Sequence, residues 1–234
     1  MTANNPVQSD EKSLSERSEL SICTSNLPFL AIVRASTGTM AFLCNGIILN
    51  ERWVTALANC IVGRLLTNTM ITVGHHDAEQ PIPSTNIFIS AIVTHPTYNP
   101  LTLSNNIGLI QTRDTIAFND RVQSVPIPVV DVPGGISTNV VGWLATRYIN
   151  FHTISMVNMA CEVEAPTVGS PMHQEEICTI RTSHHLPPAF TFGGILMEAN
   201  RPVGLHARRI SNFINVHVRL ATFRDWLYQV IENW

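Results

Sequence analysis

An all-β fold closed by a single terminal helix is what this sequence predicts, and three observations carry it. Short apolar runs rich in Val and Ile recur between turn signals, the stretch "GGILMEANRPVGLHA" reads as a hairpin, and only the C-terminal stretch has an amphipathic helical period. With 234 residues, 45% hydrophobic and 13% charged, the chain suits one large all-β domain or two small lobes around a substantial core.

Residues 1–22, "MTANNPVQSDEKSLSERSELSI", are rich in Ser, Asn, Asp and Glu with little to bury, so they read as a mobile tail, and the folded part begins near Cys23. The runs that follow are "PFLAIV", "GIIL", "MITV", "FISAIV", "IGLIQ", "VPIPVV", "TNVVGW", "ISMVNM", "GGILM", "PVGLHA" and "NVHV". Their length and spacing argue strands of a barrel or sandwich rather than βαβ units. The hairpin is expected to turn at Glu198 to Arg201. Phe223, Trp226, Leu227, Val230, Ile231 and Trp234 then fall on one helical face, and Thr222 with Asp225 resembles a capping box with Asp in the place of Glu.

Several partner classes are disfavoured. Net charge is -3 and no basic run exceeds Arg208-Arg209, so nucleic acid and anionic membrane surfaces are not expected partners. No apolar stretch reaches the roughly 18 residues of a membrane span, and the first 22 residues are not a signal-peptide core. The five cysteines contain no C-x-x-C pair, which argues against zinc. His75-His76-Asp77 and His184-His185 read as surface-loop residues rather than metal corners, so no metal or cofactor is expected.

Six motifs occur in one order. "CNGIILNERWVTALANC", "THPTYNPLTLSNNIGLI", "VVGW", "FTFGGIL", "PVGLHARR" and "NVHVRLATFRDWL" resemble successive segments of the trypsin-like serine proteases, over about residues 24 to 234. The resemblance implies two six-stranded antiparallel β-barrels with a C-terminal helix. It places the first barrel at about 28–124, the second at about 125–221 and the helix at about 222–234, within a homology domain of 23–234.

Acyl transfer by this family needs a hydroxyl nucleophile, an imidazole base, a carboxylate to orient the base, and backbone donors for the oxyanion. By the resemblance, Asn59 stands where the histidine belongs, Asn106 where the aspartate belongs, and Phe192 where the serine belongs. Phe190 takes the oxyanion-hole glycine, and Thr191 takes the aspartate that receives the new terminus on activation, leaving a Ser18 terminus released after Arg17 with no buried carboxylate. Leu186 lies near the bottom of the specificity pocket, while Arg208 and Arg209 replace residues that flank a bound substrate. Asn59 and Asn106 are expected to hydrogen-bond to each other, Phe190 and Phe192 to plug the pocket, and Arg208 and Arg209 to project over the groove.

The resemblance also implies a Cys44–Cys60 disulfide, and a Cys178 bridge for which Cys161 is the partner. Cys23 could take Cys161 instead, leaving Cys23 or Cys178 as the odd cysteine. Pro188 holds one position of a further family bridge. The expectation is a non-catalytic serine protease homologue that binds another protein, in an extracellular setting reached by a mature or trimmed chain. The alternatives are a polyanion or small-ligand binder using Arg201, Arg208 and Arg209, and a hydrolase rearranged around Ser183 or Thr191 with His184, His185 or His206 as base.

Overall fold

A computed structural model of the chain describes residues 27–36, 40–74, 86–144, 147–156, 172–182 and 193–234. The first barrel comprises β1 (Leu30–Ser36), β2 (Met40–Ile48), β3 (Trp53–Ala56), β4 (Thr69–Val73), β5 (Asn86–Thr94) and β6 (Gly108–Thr112), with the short helix α1 (Ala58–Ile61) after β3. β7 (Ser137–Leu144), β8 (Arg147–Met156), β9 (Glu176–Arg181), β10 (Ile195–Glu198), β11 (Arg201–Arg209) and β12 (Ile214–Arg219) form the second, and α2 (Leu220–Asn233) follows. Both barrels close, in the orders β1-β2-β3-β6-β5-β4 and β10-β11-β12-β9-β8-β7, with every pairing antiparallel. Closure leaves neither sheet with a whole free edge.

The largest core cluster runs through both barrels, with smaller ones around Val140, Ile177 and Leu196 and around Cys178 and Ile214. Ile32, Ile47, Ile71, Ile89 and Ile110 from the first barrel join Val141, Trp143, Leu205 and Val218 from the second, together with Phe223 and Leu227 of α2. The hairpin turns where expected: Glu198 pairs with Arg201 across a two-residue loop whose Ala199 has φ 51°. The run "VPIPVV" is not a strand. Pro126 and Pro128 carry no N–H for a ladder, and the segment crosses between the barrels, with Val129 and Val130 exposed.

The terminal helix starts at Leu220, two residues before the expected 222, and Thr222 and Asp225 do not form its cap. β12 runs straight into the helix, Arg219 is the N-cap without a side-chain bond, and the buried Leu220 fixes the first turn. The Tyr228 hydroxyl accepts the Ile127 N–H at 3.1 Å, which ties the inter-barrel segment to α2. The His95 ring lies edge-on to Trp226 and Phe223, at 4.8 and 5.2 Å between centroids.

One asparagine joins the two barrels. Asn45 of β2 is fully buried; its Nδ2 donates to the Trp143 carbonyl at 2.9 Å, and its Oδ1 accepts the Trp143 N–H at 2.7 Å. The amide thus mimics a rung of backbone ladder across the junction. Two glycines make room for it: a Cβ on Gly193 would lie 2.5 Å from the Asn45 carbonyl oxygen, and one on Gly142 about 3.0 Å from its amide. Replacing Asn45 by Leu removes both bonds to a buried backbone, so a loss of about 2 kcal/mol or more is expected in chemical unfolding. A midpoint unchanged from the parent would show that the amide does not hold the barrels together.

Candidate functional site

Asn59 is the second residue of α1, and Asn106 lies two residues before β6, so the pairing of β3 with β6 brings both to one end of the first barrel. They hydrogen-bond to each other as expected, through the Asn59 backbone rather than its side chain. The Asn59 backbone N–H donates to Asn106 Oδ1 at 2.9 Å, and the two side-chain amides do not bond to each other. Asn106 is fully buried; its Nδ2 and the Asn59 Oδ1 have no hydrogen-bond partner among the described residues. A primary amide donates and accepts hydrogen bonds but does not exchange a proton near neutral pH, so neither position supplies a base or a stabilising charge.

The loop that delivers Asn106 is held by the second barrel. Asn99 Oδ1 accepts the Leu101 N–H, and Leu103 and Asn105 take positive φ. The Asn105 N–H donates to Glu175 Oε1 at 2.9 Å, and His173 Nε2 reaches the Thr102 carbonyl at 3.2 Å. The segment before β9 therefore fixes the Asn106 backbone from across the junction.

Arg208 does not project over an open groove. Its guanidinium turns inward to Glu176 Oε2 at 2.7 Å, with side-chain exposures of 14% and 2%, and the His173 N–H donates to the same oxygen at 2.9 Å. Burial raises the Glu176 carboxyl above its ordinary range, against the opposing pull of the His173 N–H and the Arg208 charge. Arg209 alone of the pair is exposed, with no hydrogen bond or ion pair among the described residues. Arg201 is also engaged, bonding to Glu198 and to the Val130 carbonyl.

Behind the arginines lie two buried imidazoles on neighbouring strands. His206 of β11 faces His217 of β12 with ring centroids 5.2 Å apart, and the second His217 nitrogen contacts Thr179 Oγ1 at 2.9 Å. Burial lowers His206 to about 4, with the Arg209 charge adding to the effect, and burial, with His206 beside it, also holds His217 well below its ordinary range. The sequence reading weighed His206 only as a base and missed His217. Two histidines on consecutive antiparallel apolar runs were the available signal.

Phe192, Phe190, Thr191 and Leu186 lie outside the described residues, as do Ser183, His184, His185, Pro188, His75, His76 and Asp77. The chain returns at Gly193, whose φ is 71° and whose N–H donates to the His206 carbonyl at 2.9 Å. The Cys44–Cys60 bridge is corrected: the two sit together as expected, but as buried free thiols, with Cys60 hydrogen-bonded to Cys44 and burial raising the Cys44 thiol. The β2–β3 pairing sets their proximity, while the side chains meet through that hydrogen bond rather than a covalent link. Cys178 is disulfide-bonded and so is not the odd cysteine; Cys23 and Cys161 lie outside the described residues.

Arg208→Ala leaves a carboxylate in the interior and is expected to cost about 3 kcal/mol at neutral pH, less under acid as Glu176 protonates, with Glu176→Gln recovering part of it. A double-mutant cycle with no coupling between the two would contradict the pair's structural role. For His206, the folded group titrates at about 4 and the unfolded one near 6.5, so the unfolded chain binds more protons between those values. Stability is therefore expected to fall as pH drops through that window, by about 3 kcal/mol from His206 alone. Unfolding midpoints of His206→Val measured across the same window should show a shallower slope; an unaltered slope would exclude the imidazole as its source.

The family profile described as Trypsin matches residues 22–182. "Serine protease 1" of Rattus norvegicus is 31% identical over 102 residues, covering 43% of this chain, and the match spans only 39% of that relative's length. "Duodenase-1" of Bos taurus is 23% identical over a longer alignment covering 88% of this chain and 85% of its own. Among solved structures, "Kallikrein-related peptidase 10" superposes with a TM-score of 0.73 at 19% identity, covering 91% of this chain and 99% of that one, which is a likeness of fold. With its two closed six-stranded barrels, terminal helix and matched profile, the chain belongs to the trypsin family.

Proposed function

We propose that this member of the trypsin family does not hydrolyse peptides and acts by binding another protein, outside the cell. The observation that supports the reading is the contact between Asn59 and Asn106, two amides joined through a backbone N–H, at the positions where the sequence resemblance puts the base and its orienting carboxylate. By the resemblance, Phe192 stands in place of the nucleophile and Phe190 in place of the oxyanion-hole glycine. A scaffold that keeps the whole fold without a proton acceptor at its centre is suited to recognition by surface rather than to turnover. The Cys178 disulfide is of the kind that persists in oxidising compartments and supports the extracellular placement. Binding of a polyanion through Arg201, Arg208 and Arg209 is disfavoured, because Arg201 and Arg208 are already paired with Glu198 and Glu176.

The triple variant Asn59→His, Asn106→Asp, Phe192→Ser is expected to remain inactive on peptide substrates, since Phe190 and Thr191 still deny the oxyanion its donors. Hydrolysis reaching about a hundredth of an ordinary trypsin's rate would show that the site is less altered than argued. A pull-down from extracellular fluid at micromolar bait that recovers no protein would count against the binding role.

A further inference from the structure

We propose that a groove beside β5 is the docking site for an extended, acidic and apolar segment of a partner protein, which adds to β5 as a strand. The inference rests on the reading of this chain as a protein binder and names where and how it binds. β4 pairs with β5 only at Asn86–Phe88, whereas β6 pairs with it as far as Thr94. From Ser90 to Thr94, then, β5 is laddered on one side only among the described residues, and a run of backbone faces the groove.

The opposite wall is the turn that leaves α1. Val62 and Leu66 are 47% and 39% exposed, and Trp234, 67% exposed, stands at the end of the groove with its ring edge-on to Trp53 at 6.1 Å. The space between is about 500 Å³. Three large apolar side chains exposed around one groove mark an interaction surface.

Charge chooses the occupant. Arg64 is the one ionisable side chain lining the groove among the described residues. Its Nε donates to the Cys60 carbonyl at 3.0 Å, which orients the guanidinium and leaves the terminal nitrogens without a partner among the described residues. An oriented fork beside an apolar trough matches a carboxylate flanked by Leu- or Phe-sized side chains. Strand addition supplies affinity through main-chain bonds and leaves specificity to alternate side chains, here one acid and its apolar neighbours.

The test uses the intact chain and a displayed library of linear peptides of about eight residues. Selected sequences are expected to carry Asp or Glu within a few positions of Leu, Ile or Phe. A synthetic peptide of the selected sequence should bind Arg64→Glu at least about tenfold more weakly than the parent and Arg64→Lys nearly as well, and should slow hydrogen exchange at amides within 90–94. Val62→Asp, at a groove side chain half in solvent, gives the same reading if Arg64→Glu lowers the melting temperature. Failure to enrich any peptide, equal binding by the charge-reversed variant, or protection elsewhere overturns the proposal. So does concentration-dependent self-association that Arg64→Glu abolishes, which would make the occupant a second copy. A protein partner captured equally by parent and Arg64→Glu refutes the groove and leaves the binding role standing; peptides bound in the groove with no protein partner recovered refute the role and leave the groove.

Discussion

The two barrels meet through a side chain that behaves as backbone. Asn45 offers Trp143 one donor and one acceptor, and in a fully buried junction that reciprocity satisfies the N–H and C=O of a residue beyond Val141, where the pairing of β7 with β10 ends. Much else depends on it. Gly142 and Gly193 must lack a Cβ because Asn45 fills the space, and Gly193 holds the end of the segment that carries Phe190 and Phe192. From one end of the first barrel come α1 with Asn59 and the loop with Asn106, which Glu175 and His173 tie across the junction to the second barrel.

Around that junction, ionisable groups serve packing. Glu176 is a buried acid answered by Arg208 and by a backbone N–H from His173, and His206 and His217 are held neutral by burial. Such groups are costly unless paired, and an enzyme would use the same cost to tune a reacting residue. Here Glu176 is answered by Arg208 and His173, and His217 by Thr179. The site retains one polar debt of its own, the Asn59 Oδ1 and Asn106 Nδ2, unpartnered among the described residues.

Much of the architecture was legible because alternation and turn chemistry are local. The hairpin at Glu198 to Arg201, the strand runs and the apolar face of α2 each follow from a few neighbouring residues. Motif order likewise located Asn59 and Asn106 at one place. What escaped depends on register. The irregularity between His206 and Arg208 sets His206 against His217 but Arg208 against Val216, and it turns Arg208 towards Glu176, a residue with no sequence proximity. The segment 125–130 looked like a strand by its valines, yet its alternate prolines removed the donors a ladder requires. No pattern distinguishes a bonded cysteine pair from two thiols in contact, as at Cys44 and Cys60.

The central claim is that the family fold persists here without its chemistry. Exposure of the intact, folded chain to a fluorophosphonate that labels activated serines tests it most directly, with intact mass as the readout. The account predicts no mass increase under conditions that label an active trypsin to completion; stoichiometric labelling at a single residue, lost on unfolding, would contradict it.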